Sequence, residues 1–211
     1  MKGIRKKLII AGGVLLAVLA FLLIAPNFVD WNRFKPEVER GFEAATGRQI
    51  AIAGELSFKL LPAPALSVSR VSLANVPWAR DANFLELESL DIRMRLLPLL
   101  NKDVEVTSLV LVGGRINLER AGDGRANWSE LFEGAEEQEK PSDQKVAFES
   151  FILKRTDVAL YDHASDETTA FAGIDAEFTV ASMQGPLQGE GEFTFNGVPL
   201  DFTADVGETG E

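Results

Sequence analysis

Five side chains able to move protons or hold a metal ion lie close together in the 211-residue sequence: Asp157, Asp162, His163, Asp166 and Glu167. Carboxylates beside an imidazole orient it as a base or share a divalent cation with it. The same residues fall at the tip of an expected hairpin, where acidic side chains are ordinary solvated turn residues. His163 is the single histidine and cysteine is absent, which excludes disulfides, Cys-ligated zinc, Fe–S clusters and thiol chemistry. The sequence carries no P-loop, dinucleotide fingerprint or nucleophile elbow. An enzyme is therefore not expected, and no cofactor or metal is implied.

Lys and Arg number 21 against 32 Asp and Glu, a net charge of -11. Four of the positives (Lys2, Arg5, Lys6, Lys7) precede residue 8, leaving 17 positives against 32 negatives in the rest. A body that acidic repels polyphosphate, so nucleic acid is not an expected partner. Leu8 to Ala25 is an uncharged run of eighteen residues. As a helix it would span about 27 Å, close to the hydrocarbon thickness of a bilayer. Residues 1–7 then form a cytoplasmic basic segment, 8–25 a transmembrane helix, and the body lies on the far side. The competing reading is a cleaved signal peptide, for which Val18-Leu19-Ala20 offers a partial cleavage site. Phe28, Trp31 and Phe34 follow as interface anchors. Residues 26–47 are expected to be a linker and an amphipathic helix, from Pro36 to a stop at Gly47, with Val38, Phe42 and Ala45 on one face. That helix covers one end of the following sheet or lies on the membrane surface.

From residue 48 the apolar period changes to two, and eleven short strands are expected between Gln49 and Val206. Turn signals such as Gly113-Gly114, Asp123-Gly124 and Asn196-Gly197 separate several of them. A unit of the form apolar-x-apolar-x-x-apolar-x-apolar recurs at Leu66–Leu73, Leu85–Ile92, Val104–Leu111 and Val146–Leu153, its starts 19, 19 and 42 residues apart. The last two copies continue into Arg115–Leu118 and Asp157–Leu160, expected as the next strand of a hairpin. A regular strand would send the two apolar pairs of each unit to opposite faces. One extra residue, a β-bulge, would restore a single apolar face. The alternative is a strand that passes between the two sheets of a sandwich.

The fold expectation is mainly β: after the transmembrane and amphipathic helices, a curled, repetitive antiparallel sheet forming a half-open apolar groove. Residues 48–129 form its first part, 130–145 an acidic linker, and 146–211 further β repeats, expected to be cut short. About ten strands at about 4.8 Å spacing make a sheet nearly 50 Å wide, which a helix of roughly 15 Å cannot cover. Such a sheet must roll onto itself, pair with another chain or hold something greasy. Candidate lining residues are Leu66, Val68, Leu85, Leu87, Leu90, Ile92, Val104, Val106, Leu109, Leu111, Ile116, Leu118, Phe148, Phe151, Val158 and Leu160. Leu96 to Leu100 reads as a gate over the groove or as a turn against the sheet, since Pro98 cannot continue a central strand. Asn127 and Trp128 are expected to terminate a hairpin by capping and packing.

A basic N-terminus, one apolar run and a short helix precede Thr46-Gly47-Arg48 and the alternating Ile50, Ile52 and Gly54. Further on come Leu96-Leu97-Pro98-Leu99-Leu100, the Val104 unit and Gly124-x-x-Asn127-Trp128. In this order and spacing, residues 1 to about 130 resemble the AsmA family, and the remainder does so by strand style. The resemblance implies a single-pass inner membrane protein of Gram-negative bacteria with its β body in the periplasm. It also implies phospholipid as cargo, envelope proteins as further partners and a contribution to outer membrane biogenesis. A scaffold or regulator of outer membrane protein assembly is the alternative. Typical members are several hundred residues long, so a bridge across the whole periplasm is not expected of this chain.

Overall fold

A computed structural model describes residues 11–14, 17, 20–21, 28–101, 105–129, 131, 149–180 and 187–207. The basic segment 1–7, most of the Leu8–Ala25 run and, apart from Leu131, the acidic stretch 130–145 lie outside these residues. Residues 11–14, 17, 20 and 21 of the run are helical and exposed. Among the described residues no helix is long and apolar enough to cross a membrane.

The chain enters the fold through a 3-10 turn, Trp31–Phe34, and continues into helix α1, Lys35–Thr46. Pro36 sits in its first turn and Gly47, at φ 70°, caps its end in the left-handed conformation open to glycine. The inward residues are Lys35, Glu39, Phe42 and Thr46, whereas Val38 and Ala45 of the expected apolar stripe are exposed. The physical reason is polar. Glu39 Oε1 accepts from the Ile52 amide at 2.8 Å, and Asn32 Oδ1 from the Leu56 amide at 3.0 Å. The N-terminal segment thus satisfies donors on a free sheet edge, while Trp31 packs against the apolar cluster at that end of the sheet.

Ten strands follow: β1 Ile50–Ile52, β2 Leu56–Lys59, β3 Ala65–Ala74, β4 Asn83–Met94, β5 Val106–Val112, β6 Arg115–Arg120, β7 Ser150–Asp162, β8 Glu167–Val180, β9 Leu187–Phe195 and β10 Val198–Val206. A short helix α2, Leu96–Leu100, joins β4 to β5. All ten strands form one sheet, so the repeat units do not cross between two sheets. β1 and β2 lie end to end along β3, and β5 and β6 lie end to end between β4 and β7. Strands β7 to β10 form a meander closed by Asn196-Gly197, whose positive φ angles of 50° and 79° suit a tight hairpin turn.

The expected antiparallel sheet is in fact mixed, because β7 runs parallel to both β5 and β6. Leu109 pairs with Phe151, Leu111 with Leu153, Ile116 with Val158 and Leu118 with Leu160, each residue meeting the one 42 positions later. The spacing between the last two repeat units is thus built as neighbouring strands in register. It also corrects the hairpin reading. Gly113-Gly114 kinks the chain without reversing it, and Asp157–Leu160 is the continuation of β7.

The odd step within the repeats forms a seam across the sheet. Arg70 takes a φ of 49°, and Val68, Val71 and Leu73 on either side are all buried. Glu88, opposite it in β4, also drops out of the ladder, and the register before and after is unchanged. Two matched kinks therefore do what a single extra residue was expected to do. Gly113 (φ 60°), Arg155 (φ 49°) and Gly173 (φ 58°) carry the seam through β5–β6, β7 and β8. Backbones approach closely along it: a Cβ on Gly54 would fall 2.3 Å from the Ser69 carbonyl oxygen. The core follows the same line, with Ile52, Leu56, Val68, Val71, Leu87, Leu111, Leu153 and Ala176 buried in one cluster.

Candidate functional site

On the face that holds this cluster, regular alternation on each side of the seam sends every second side chain inward. Val68, Leu87 and Leu111 of the expected lining are buried in the core itself. Leu66, Leu85, Leu90, Leu109 and Phe151 are half-buried and pack against it. Ile92, Val106, Ile116, Leu118, Val158 and Leu160 are also half-buried. Val104 and Phe148 lie outside the described residues.

Five further lining residues were not anticipated. Phe178, Phe171, Phe193, Phe195 and Phe202 join Phe151 in an unbroken chain of ring contacts across β7 to β10. The centroids are 6.1 Å apart for Phe151 and Phe178, 6.1 Å for Phe178 and Phe202, 6.0 Å for Phe202 and Phe193, 5.6 Å for Phe193 and Phe171, and 5.4 Å for Phe171 and Phe195. Gly189 and Gly191 make room for it: they pair with Phe178 and Ala176, and a Cβ on Gly189 would sit 2.6 Å from the Phe178 ring. All six phenylalanines remain partly exposed. The opposite face of these strands is acidic, with Glu177 paired to Glu190 and Glu192 to Asp201. Among the described residues, helical segments pack substantially on β1 and β2 alone, where Trp31 meets Phe58 at 5.2 Å. Among the described residues the phenylalanine surface has no such cover.

The opposite face carries a buried polar cluster at the end where β6 and β7 finish. Glu119 and Asn127 are fully buried and Arg48 nearly so. The Glu119 carboxylate accepts from the amides of Arg80 (2.8 Å) and Asp81 (3.0 Å), and His163 Nε2 faces its Oε2 at 2.8 Å. Burial alone would raise this carboxyl, but those donors outweigh it and hold its pKa below the ordinary value. Asn127 donates to Asn75 Oδ1 (3.0 Å) and the Asn117 carbonyl (2.8 Å), and accepts from the Glu119 amide (2.9 Å). Its own carbonyl accepts from Arg48, whose guanidinium also lies over Phe84 at 5.4 Å. The cluster ties α1, the β3–β4 loop, the end of β6 and the β7–β8 turn together. Asn127 does cap a hairpin end, as expected. Arg48 and Glu119 were not anticipated, since a glutamate at an alternating strand position reads as outward and solvated.

The five residues first considered for chemistry do not converge. Asp157 Oδ1 accepts from the Gly173 amide (2.8 Å), Asp162 Oδ1 from the Ala164 amide (2.7 Å), and Asp166 Oδ1 from the Tyr161 hydroxyl (2.6 Å). Glu167 pairs with Asp162 in the ladder. Among the described residues, no group of three or more His, Asp or Glu side chains is placed to hold a metal ion.

Fold and site together give one large mixed sheet, apolar on one face and acidic over its later strands on the other. The sequence profile of the AsmA family matches residues 1–206, and the chain belongs to that family. The match extends well beyond the first 130 residues, through β10. No curated protein and no solved structure matches the chain.

Proposed function

We propose that the protein is an inner-membrane-anchored, periplasmic AsmA protein that holds or conducts phospholipid along its apolar β face, the sheet acting as a half-open groove. The reading is carried by one observation: six phenylalanine rings in continuous contact, all partly exposed, on a face that no described element covers over β7 to β10. Apolar surface of that extent on a soluble face calls for an occupant. An acyl chain suits it. Each methylene taken out of water is worth about 0.8 kcal/mol, so a sixteen-carbon chain carries roughly 12 kcal/mol of unfavourable hydration that such a face shields. Family membership supports a lipid-related role in the cell envelope.

The test is organic-solvent extraction of protein purified without detergent. Phospholipid in molar proportion to folded protein is the expected result, and its absence rejects the reading. A second reading, a scaffold in outer membrane assembly, draws on β10, which among the described residues ends the sheet and exposes Val198 (55%) and Leu200 (42%). Such an edge suits strand addition by a partner protein. Protein adducts from a photoreactive residue at Leu200, with no lipid in the extract, would favour it.

A further inference from the structure

The two ends of the sheet differ in kind. One end carries the loops 75–82, 121–127 and 163–166 together with the buried polar cluster, and the β9–β10 turn Asn196-Gly197. The other carries two leucine- and proline-containing turns, Leu60-Leu61-Pro62-Ala63 between β2 and β3 and Leu96-Leu97-Pro98-Leu99 in α2. These two are neighbours: the Met94 amide donates to the Pro64 carbonyl at 2.9 Å, and Ala65 pairs with both Lys59 and Arg93. Leu97 is 75% exposed, more than an apolar side chain at a settled turn requires. Lys59 and Arg93 flank the turns, are exposed, and make no ion pair among the described residues.

The N-terminal segment reaches the same end. Val29 and Asp30 share a small cleft with Ser57, Phe58 and Lys59, and Phe28 just before them is 84% exposed. The eighteen-residue uncharged run ends at Ala25, three residues earlier. Exposed Leu97, the half-buried leucines beside it and the exposed cations Lys59 and Arg93 thus meet at one end of an otherwise acidic body, where exposed Phe28 follows the uncharged run by three residues. Leucine at the headgroup boundary with Lys or Arg beside it is the chemistry of interfacial attachment to an anionic bilayer.

We infer that the Leu60–Ala63 turn and helix α2 dock into the surface of a lipid bilayer and stand the sheet on the membrane with its polar end away from it. The contact belongs to the β body itself and is separate from the anchor, and it stands whether or not the apolar face carries lipid. Strands β3, β4 and β5 then present Leu66, Ile92 and Val106 nearest the bilayer.

The absence of cysteine makes the test direct. Single variants Ala63→Cys, Leu97→Cys and, at the far end, Ala164→Cys each receive an environment-sensitive fluorophore, with the full chain in vesicles of phosphatidylethanolamine and phosphatidylglycerol. All three positions are exposed, so the fold is retained, and circular dichroism verifies it. Labels at 63 and 97 should emit to the blue, be quenched by spin-labelled acyl chains and resist iodide, while the label at 164 does the reverse. Iodide quenching at 63 and 97 equal to that at 164, or protection without quenching by the spin-labelled lipid, overturns the inference. Phospholipid retention on the same preparations is read separately: embedded labels without retained lipid uphold the docking and reject the groove. Retained lipid with iodide-accessible labels does the converse.

Discussion

In β1–β6 the apolar face is aliphatic apart from Phe58, which Trp31 covers, and its outer edge is closed by the side chains of Glu39 and Asn32, which take up the Ile52 and Leu56 amides. In β7–β10 the same face is paved with phenylalanine, and among the described residues β10 pairs with β9 alone. The first region also carries most of the buried residues and, at its end, the polar cluster around Glu119. In the second, Gly189 and Gly191 of β9 stand opposite Phe178 and Ala176. One sheet thus divides its labour: the first half supplies stability, and the second offers large, loosely covered rings at some cost in packing.

The strongest way to break this contrast is to remove the polar cluster. Glu119→Ala leaves the amides of Arg80 and Asp81 and the His163 ring without their acceptor in a buried site, which should cost about 3–5 kcal/mol in chemical denaturation. The same carboxylate gives a pH signature. Its folded pKa lies below the ordinary 4.5, so the unfolded chain takes up its proton first. Glu119 therefore contributes stability fully above that value and loses the contribution as pH falls through the lower folded one. Glu119→Gln should flatten the fall in stability below about pH 4.5 relative to the parent chain.

Next come paired truncations in the two halves. Leu87→Ala, in the core at 5% exposure, should cost about 2–4 kcal/mol while the lipid held per folded molecule is kept. Phe202→Ala, half-exposed, should cost under about 2 kcal/mol yet lower the retained lipid by more than Leu87→Ala does. Equal loss of lipid in both variants would erase the division between the regions. Gly191→Ala tests the close approach in the second half, since a Cβ there would fall 2.5 Å from the Asp175 carbonyl oxygen. A loss of about 1–3 kcal/mol is expected, with disordered ring contacts visible in near-ultraviolet circular dichroism. The smallest effect belongs to the seam. Arg70→Gly relieves a side chain held at φ 49° and should raise stability by up to about 1 kcal/mol, whereas Arg70→Val should lower it by about 1–2 kcal/mol.

Much of this architecture was legible in the sequence for reasons that can be traced. The three-residue step of Leu66–Leu73 and Leu85–Ile92 demanded a parity switch, and the structure places one at Arg70 and Glu88. The 42-residue spacing announced two equivalent strands. Their parallel arrangement was hidden, because alternation looks the same in either direction and Gly113-Gly114 reads as a reversal. The phenylalanine surface is not legible from the repeat, because Phe171, Phe178, Phe193, Phe195 and Phe202 all lie beyond its last copy. Gly189 and Gly191, followed by Phe193 and Phe195 at the same two-residue spacing, were the available signal: small and then large residues on one face of one strand. The partner of His163 could not be read locally, since Glu119 lies 44 residues away.

The central claim is that the rings of β7–β10 lie against acyl chains. It is tested most directly by a photoreactive amino acid at Phe178 or Phe202, with Glu177 on the acidic face as the reference, in the full chain within native membranes. Irradiation followed by mass analysis should yield phospholipid adducts at 178 and 202 and none at 177. Adducts at 178 and 202 that are protein alone, or lipid adducts equal at all three positions, would contradict the account.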